Sequence, residues 1–162
     1  MFSDLWQEEE DGSEASLHAV SAIGLAEVLR SLYGRPARLS LATVAQVVQA
    51  ADFLQVASVT RTCEVFLSRS LQPGTVLGIS EVARQFWLGG LEAECNDMVL
   101  NRLNEVAATK EFLLLEFPRL ESFLGDDRLA VSSEGVVWSS ALVWLHGGDQ
   151  EERAQYLKPL LA

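Results

Sequence analysis

Basic side chains are scarce in this chain, and the first, Arg30, arrives only after six acids between Asp4 and Glu14. Twelve lysines and arginines stand against 23 aspartates and glutamates, a formal net charge of −11. Such a surface repels phosphate backbones and anionic headgroups, so neither nucleic acid nor a membrane surface is expected as a partner. Cysteine is also scarce. Cys63 and Cys95 sit far apart inside apolar helical patterns, where a free thiol buries like a small hydrophobe. Two reduced core thiols are expected, which suits the cytosol or nucleus, and not a disulfide or a metal pair. No apolar run approaches the ~18 residues of a membrane span. The opening MFSDLWQEEEDG has neither the basic start nor the apolar core of a signal peptide.

Motifs of chemistry are lacking in the same way. There is no G-x-G-x-x-G, no phosphate-cradling G-x-x-x-x-G-K, no H-E-x-x-H, no C-x-x-C and no calcium loop. His18 and His146 fall in different helical hairpins, and neither has a cysteine near it in sequence. His146 suits a helix C-terminus, where its charge meets the dipole. The carboxylate clusters at Glu8–Glu10, Asp126-Asp127 and Glu151-Glu152 are those of solvated faces. No convergent set of polar groups emerges, so an enzyme has no positive support, and neither a cofactor nor a metal is expected.

What is present is apolar periodicity. Apolar residues make up 49% of 162, a globular composition. A chain of this length buries about 70% of its unfolded surface and needs no staple. Ser21 caps a helix through Leu32, with Leu25, Val28, Leu29 and Leu32 on one face. Gly34 stands at the left-handed C-terminal cap, and Pro36 stops continuation. Short strands at 17–20 and 37–41 are the most strand that is expected. A second helix is predicted over Ala42–Leu54, with Val44, Val47, Val48, Ala51 and Leu54 inward. A third runs over Ser58–Ser70, with Val59, Cys63, Phe66 and Leu67 inward. Pro73-Gly74 marks the domain boundary.

Beyond it, Val76, Ile79, Val82, Ala83 and Phe86 share a face. Gly89-Gly90 reads as a break. Leu91, Cys95, Met98, Val99, Leu103 and Val106 then make one longer helix. A helical turn is expected at Glu111–Leu115 and a helix start at Pro118. Another helix, capped at Ser132 or Ser133, has Val137, Ala141, Trp144 and Leu145 inward and ends at Gly147-Gly148. A final helix is expected over 150–161. The result is nine or ten helices with short loops, packing as helical hairpins.

The stretch from Tyr33 to Leu71, YGRPARLSLATVAQVVQAADFLQVASVTRTCEVFLSRSL, resembles the last part of a BTB domain of the kelch-like family. The matching residues are Leu39-Ser40, Ala50-Ala51-Asp52, Leu54-Gln55, Cys63 and Phe66-Leu67; Tyr33-Gly34 lacks the family's intervening threonine. LQPGTVLGI (Leu71–Ile79) is similar to the family's linker, with Thr75-Val76 replacing asparagine-cysteine. Glu111-Phe112-Leu113, Leu129, Val131, Ser132-Ser133-Glu134, Val137, Trp144-Leu145 and Arg153 through Leu161 resemble its BACK domain.

The resemblance implies a mainly all-α chain: a partial BTB/POZ domain over 1–72 and a BACK-type helical array over 73–162. It also implies a non-catalytic adaptor of a cullin-3 RING ubiquitin ligase. MFSDLWQE is similar to the family's apolar-x-acid motif, which puts Trp6, Gln7 and Glu8 at the cullin interface, with Tyr33, Val76 and Leu77 adding contact. The substrate would bind through a kelch domain, of which no repeat follows Ala162. The alignment places the start of the chain inside the BTB fold, without the elements that supply most of the family's dimer interface, and so leaves the homodimer open. A non-ligase BTB–BACK scaffold, such as a cytoskeletal or transcriptional cofactor, is the alternative.

Overall fold

In a computed structural model of the chain, which describes residues 20–131, 133–148 and 153–156, every regular element among the described residues is helical. The helices are α1 (Ala22–Leu32), α2 (Val44–Phe53), α3 (Ala57–Arg69), α4 (Val76–Gln85), α5 (Gly89–Asn101), α6 (Leu103–Ala107), α7 (Phe117–Leu124) and α8 (Glu134–His146). Two 3-10 turns, Glu111–Leu114 and Ala154–Tyr156, complete the set. The backbone divides into two compact units, 1–66 and 67–162, the division falling inside α3.

In the first unit α1 packs on α2. Ser21 caps α1: its hydroxyl accepts from the Gly24 amide at 3.0 Å and donates to Gln46 Oε1 of α2 at 3.0 Å. One side chain thus satisfies an orphan amide and pins the two helices together. Gly24 lies where α1 meets α2. A methyl built on it would overlap the Gln46 carbonyl oxygen and come within 3.0 Å of Ala50 Cβ. Val28, Val44, Val47, Val48 and Ala51 fill the interior as the periodicity predicts, Ala50 joins them, and Leu54 is only half-buried. The predicted inner face of α1 is only partly covered, since Leu29 and Leu32 are exposed.

Three helices end in the same way. At α1 the amide of Gly34 bonds Ser31 O and that of Arg35 bonds Arg30 O, around a left-handed Gly34 (φ 76°). At α2 the amides of Gln55 and Val56 reach Asp52 and Ala51, and at α4 those of Trp87 and Leu88 reach Arg84 and Ala83. Each is a Schellman cap. At the second and third a non-glycine, Gln55 or Trp87, holds the left-handed position at φ 56°. The strand expected at 37–41 is not formed. Side chains fasten this segment instead, through Arg30 Nε to Pro36 O (2.9 Å) and the Arg38 amide to Glu27 Oε2 (2.8 Å).

In the second unit α4 pairs with α5, and α6 lies on α8. Ile79, Ala83, Leu91, Cys95, Val99, Leu100, Leu103, Val106, Phe112, Leu120, Phe123, Ala141 and Trp144 are buried. Two expectations are corrected here. Gly89-Gly90 is not a break but the first turn of α5, because the Schellman cap at Trp87 has already turned the chain. The predicted single helix through Val106 is two, broken at Arg102 (φ −132°). The break leaves the Leu100 carbonyl to accept the amide of Ala130 from the α7–α8 connection at 3.1 Å. Pro118 stands in the first turn of α7 and Ser133 at the start of α8, as expected. The expected strand at 17–20 and most of the final helix lie outside the described residues, as does Ser132; Ala154–Tyr156 makes one 3-10 turn.

Arg153 ties this unit's end to its core. Its guanidinium donates to the Trp144 carbonyl near the end of α8 and, at 2.5 Å, to Leu113 O, and it lies 4.1 Å over the Trp144 ring. Trp144 in turn donates from Nε1 to Leu115 O at 2.8 Å, and Phe117 stacks on Tyr156 at 4.2 Å.

Candidate protein-interaction site

Of the five residues singled out at a partner interface, Trp6 and Glu8 lie outside the described residues. Tyr33 caps the end of α1 with its side chain 83% exposed, beside the exposed Leu32. An aromatic ring left in water next to a leucine is the kind of anchor that interfaces use. Leu77 is half-buried and lines a groove. Val76 is corrected: it is the first residue of α4 and is fully buried, so it belongs to the core and offers a partner no surface.

The groove encloses about 550 Å3 and runs between the outer face of α4 and the segment leading into α7. Leu77, Leu114 and Leu115 supply its apolar surface, with Glu81, Arg84, Glu111, Glu116 and Arg119 among them. Arg119 is fixed from below. Its Nη2 donates to Ser80 Oγ at 3.0 Å and to Asn96 Oδ1 at 2.6 Å, and its guanidinium lies 4.5 Å from the Phe123 ring centre. Burial, then the charge of Arg84, lowers its pKa, but a guanidinium remains protonated. Ser80 is one of two buried polar side chains among the described residues, and this bond explains its burial. Arg84 pairs with Glu81 at 3.6 Å.

Sequence reasoning missed two exposed anchors. Trp87 is 91% exposed and Leu114 is 81% exposed. Trp87 follows α4 where an apolar residue reads as a continuation of the Phe86 face, and only the cap geometry turns it outward. Leu114 sits inside the apolar run FLLLEF, whose alternation between Phe112 (buried) and Leu114 is set by the 3-10 turn.

Cys63 and Cys95 are free and buried. Burial pushes each thiol up to about 11, helped at Cys95 by the charge of Glu94. His146 ends α8, its Nδ1 2.8 Å from Leu142 O. Among the described residues no group of three or more histidines, cysteines and acids is placed to hold a metal, and no helix is long and apolar enough to cross a membrane.

Helix pairs with exposed apolar anchors at their caps define a helical-array module. Family models match the chain in two consecutive pieces: the BTB/POZ domain over residues 1–71 and BACK (BTB And C-terminal Kelch) over residues 76–162. The chain belongs to the BTB–BACK family of kelch-like proteins. It is 26% identical to human kelch-like protein 31 over 161 residues, 99% of this chain and 25% of the relative. It is 32% identical to human kelch-like protein 26 over 142 residues, 87% of this chain and 23% of that protein. To kelch-like ECH-associated protein 1A of Danio rerio it is 28% identical over 149 residues, 92% of this chain and 25% of that one. The chain thus spans about a quarter of the length of these curated relatives.

Proposed function

We propose that the chain is a non-catalytic adaptor that bridges a cullin-3 RING ubiquitin ligase to a substrate-binding module. The observation that carries this reading is the pair of family matches in BTB-then-BACK order across the whole chain. Residues 1–72 would meet the cullin, and 73–162 would space it from a kelch domain that holds the substrate, in the cytoplasm or nucleus. Trp6 would fill a partner pocket and Glu8 accept hydrogen bonds at its rim. Tyr33 and Leu77 would widen the contact; Val76, being buried, takes no part. A standard interface covers about 800 Å2 on each partner, so these side chains form its centre only.

Calorimetry of the purified chain against the N-terminal domain of cullin-3 tests this, beside the Trp6→Ala, Glu8→Ala double variant and Tyr33→Ala. Micromolar or tighter binding, abolished in the double variant and weakened in Tyr33→Ala, is expected. No binding by a chain shown to be folded would replace this reading with that of a non-ligase BTB–BACK scaffold.

A further inference from the structure

α8 is apolar around most of its circumference yet is buried on only one side. Its sequence, EGVVWSSALVWLH, has a single carboxylate at its first residue and a histidine at its last, with no lysine, arginine or aspartate, in a chain that is 22% charged. Loss of charge among aromatic and aliphatic side chains marks the centre of interfaces. Ala141 and Trp144 are buried, and α8 meets α6 and the 3-10 turn at Glu111–Leu114. Glu134, Trp138, Leu142 and His146 follow one another at four-residue spacing, and all are exposed, Trp138 by 42% and Leu142 by 43%. Residues so spaced form one continuous ridge on a helix.

The ridge is its own complement. When a second copy is turned about a twofold axis that passes between Trp138 and Leu142, its ridge runs antiparallel to the first. His146 of each copy then meets Glu134 of the other, and Leu142 of each meets Trp138 of the other. Ridges of this spacing interdigitate at a crossing angle of about 50°. Glu134 makes no ion pair among the described residues, and His146 engages only Nδ1, 2.8 Å from Leu142 O. A parallel copy would set like against like at both ends. We propose that two copies of the chain associate antiparallel through this ridge of α8, Trp138 of each on Leu142 of the other and Glu134 of each paired with His146 of the other. One helix laid on one helix covers less than the about 800 Å2 per partner of a standard interface, so the dimer is weak, with Kd about 10–100 µM. The contact belongs to the BACK part and does not draw on the adaptor reading.

Sedimentation equilibrium of the full chain, from about 1 µM to about 500 µM, reads the Kd. Trp138→Ala with Leu142→Ala should weaken the dimer at least tenfold. Glu134→Lys and His146→Glu should each weaken it at least tenfold, whereas His146→Arg should keep it. The deciding arm is an equal mixture of the Glu134→Lys and His146→Glu chains. Each alone sets like charges together at both ends, but the mixed pair restores opposite charges at both, so the mixture should regain the unaltered affinity. Glu134 and His146 are exposed, and a circular-dichroism melt checks the fold of each variant. Asp52→Lys makes the same charge change as Glu134→Lys at an exposed site in α2 and should leave the Kd unchanged. A monomer at every concentration, a dimer that no α8 variant weakens, equal weakening by Asp52→Lys, or a mixture no tighter than its components would overturn the proposal. Cullin binding, read separately, is unaffected by any of these results.

Discussion

Two glycines, each the third residue of its helix, predict opposite outcomes for one substitution. Gly24 stands in α1 and Gly78 in α4. Intrinsic propensity favours alanine over glycine in a helix by about 1 kcal/mol at both. At Gly78 a new methyl meets nothing within 4 Å, so Gly78→Ala should stabilise by about 0.5–1 kcal/mol. At Gly24 the methyl meets backbone, the Gln46 carbonyl group, with its carbon at 2.9 Å. A carbonyl inside α2 cannot yield without moving the helix, and overpacking of this kind costs about 1–3 kcal/mol. The clash therefore outweighs the propensity gain, and Gly24→Ala should lose about 1–2 kcal/mol. For a chain of this size 1 kcal/mol moves Tm by about 2–4 °C. Urea unfolding followed by circular dichroism reads both variants. A midpoint for Gly24→Ala equal to or above that for Gly78→Ala would refute the close approach of α1 to α2.

The left-handed caps give a second pair: Gly34→Ala should cost about 1 kcal/mol, and Trp87→Gly should gain about as much, both by thermal melts. Trp144→Phe removes the donor to Leu115 O and leaves that carbonyl unpaired, a loss of about 1–3 kcal/mol in urea unfolding. The thiols predict a pH dependence. With folded values near 11 against an ordinary 9.0, the unfolded chain holds fewer protons at alkaline pH. Stability from this source is full below pH 9 and falls as pH rises toward 11. At pH 8 Cys63 and Cys95 should resist a thiol reagent until urea unfolds the chain; prompt labelling of the native protein would contradict their burial.

Periodicity and punctuation carried most of the helical plan. Ser21 caps where a serine before an apolar repeat should, and Gly34 takes the left-handed turn that its place before Pro36 demands. The inward set of α2 is legible because valine and alanine recur at helical spacing. What sequence hid depends on contacts between elements. The break at Arg102 is invisible because Val99, Leu103 and Val106 keep facing the core on both sides of it. Gly24 reads as a weak helix position and becomes a site of close approach only when α2 is in place. At the candidate site Tyr33 and Leu77 do reach the surface, whereas Val76, which the family resemblance puts at the interface, is inward with Ile79 and Ala83, the face its periodicity gives it. The groove around Leu114 has no sequence signature, since its walls come from two separate stretches of chain, Leu77 to Arg84 and Glu111 to Arg119.

The interruption at Arg102 has a kinetic consequence. It hands the Leu100 carbonyl to the amide of Ala130, a surface residue outside any helix. An exposed loop amide ordinarily exchanges its proton with water quickly, but this one is released only when the connection between α7 and α8 lifts from the end of α5. Ala130 is therefore a built-in clock for the opening of that corner of the BACK array. Its exchange should be slow at rest, and slower still if a partner clamps the corner shut.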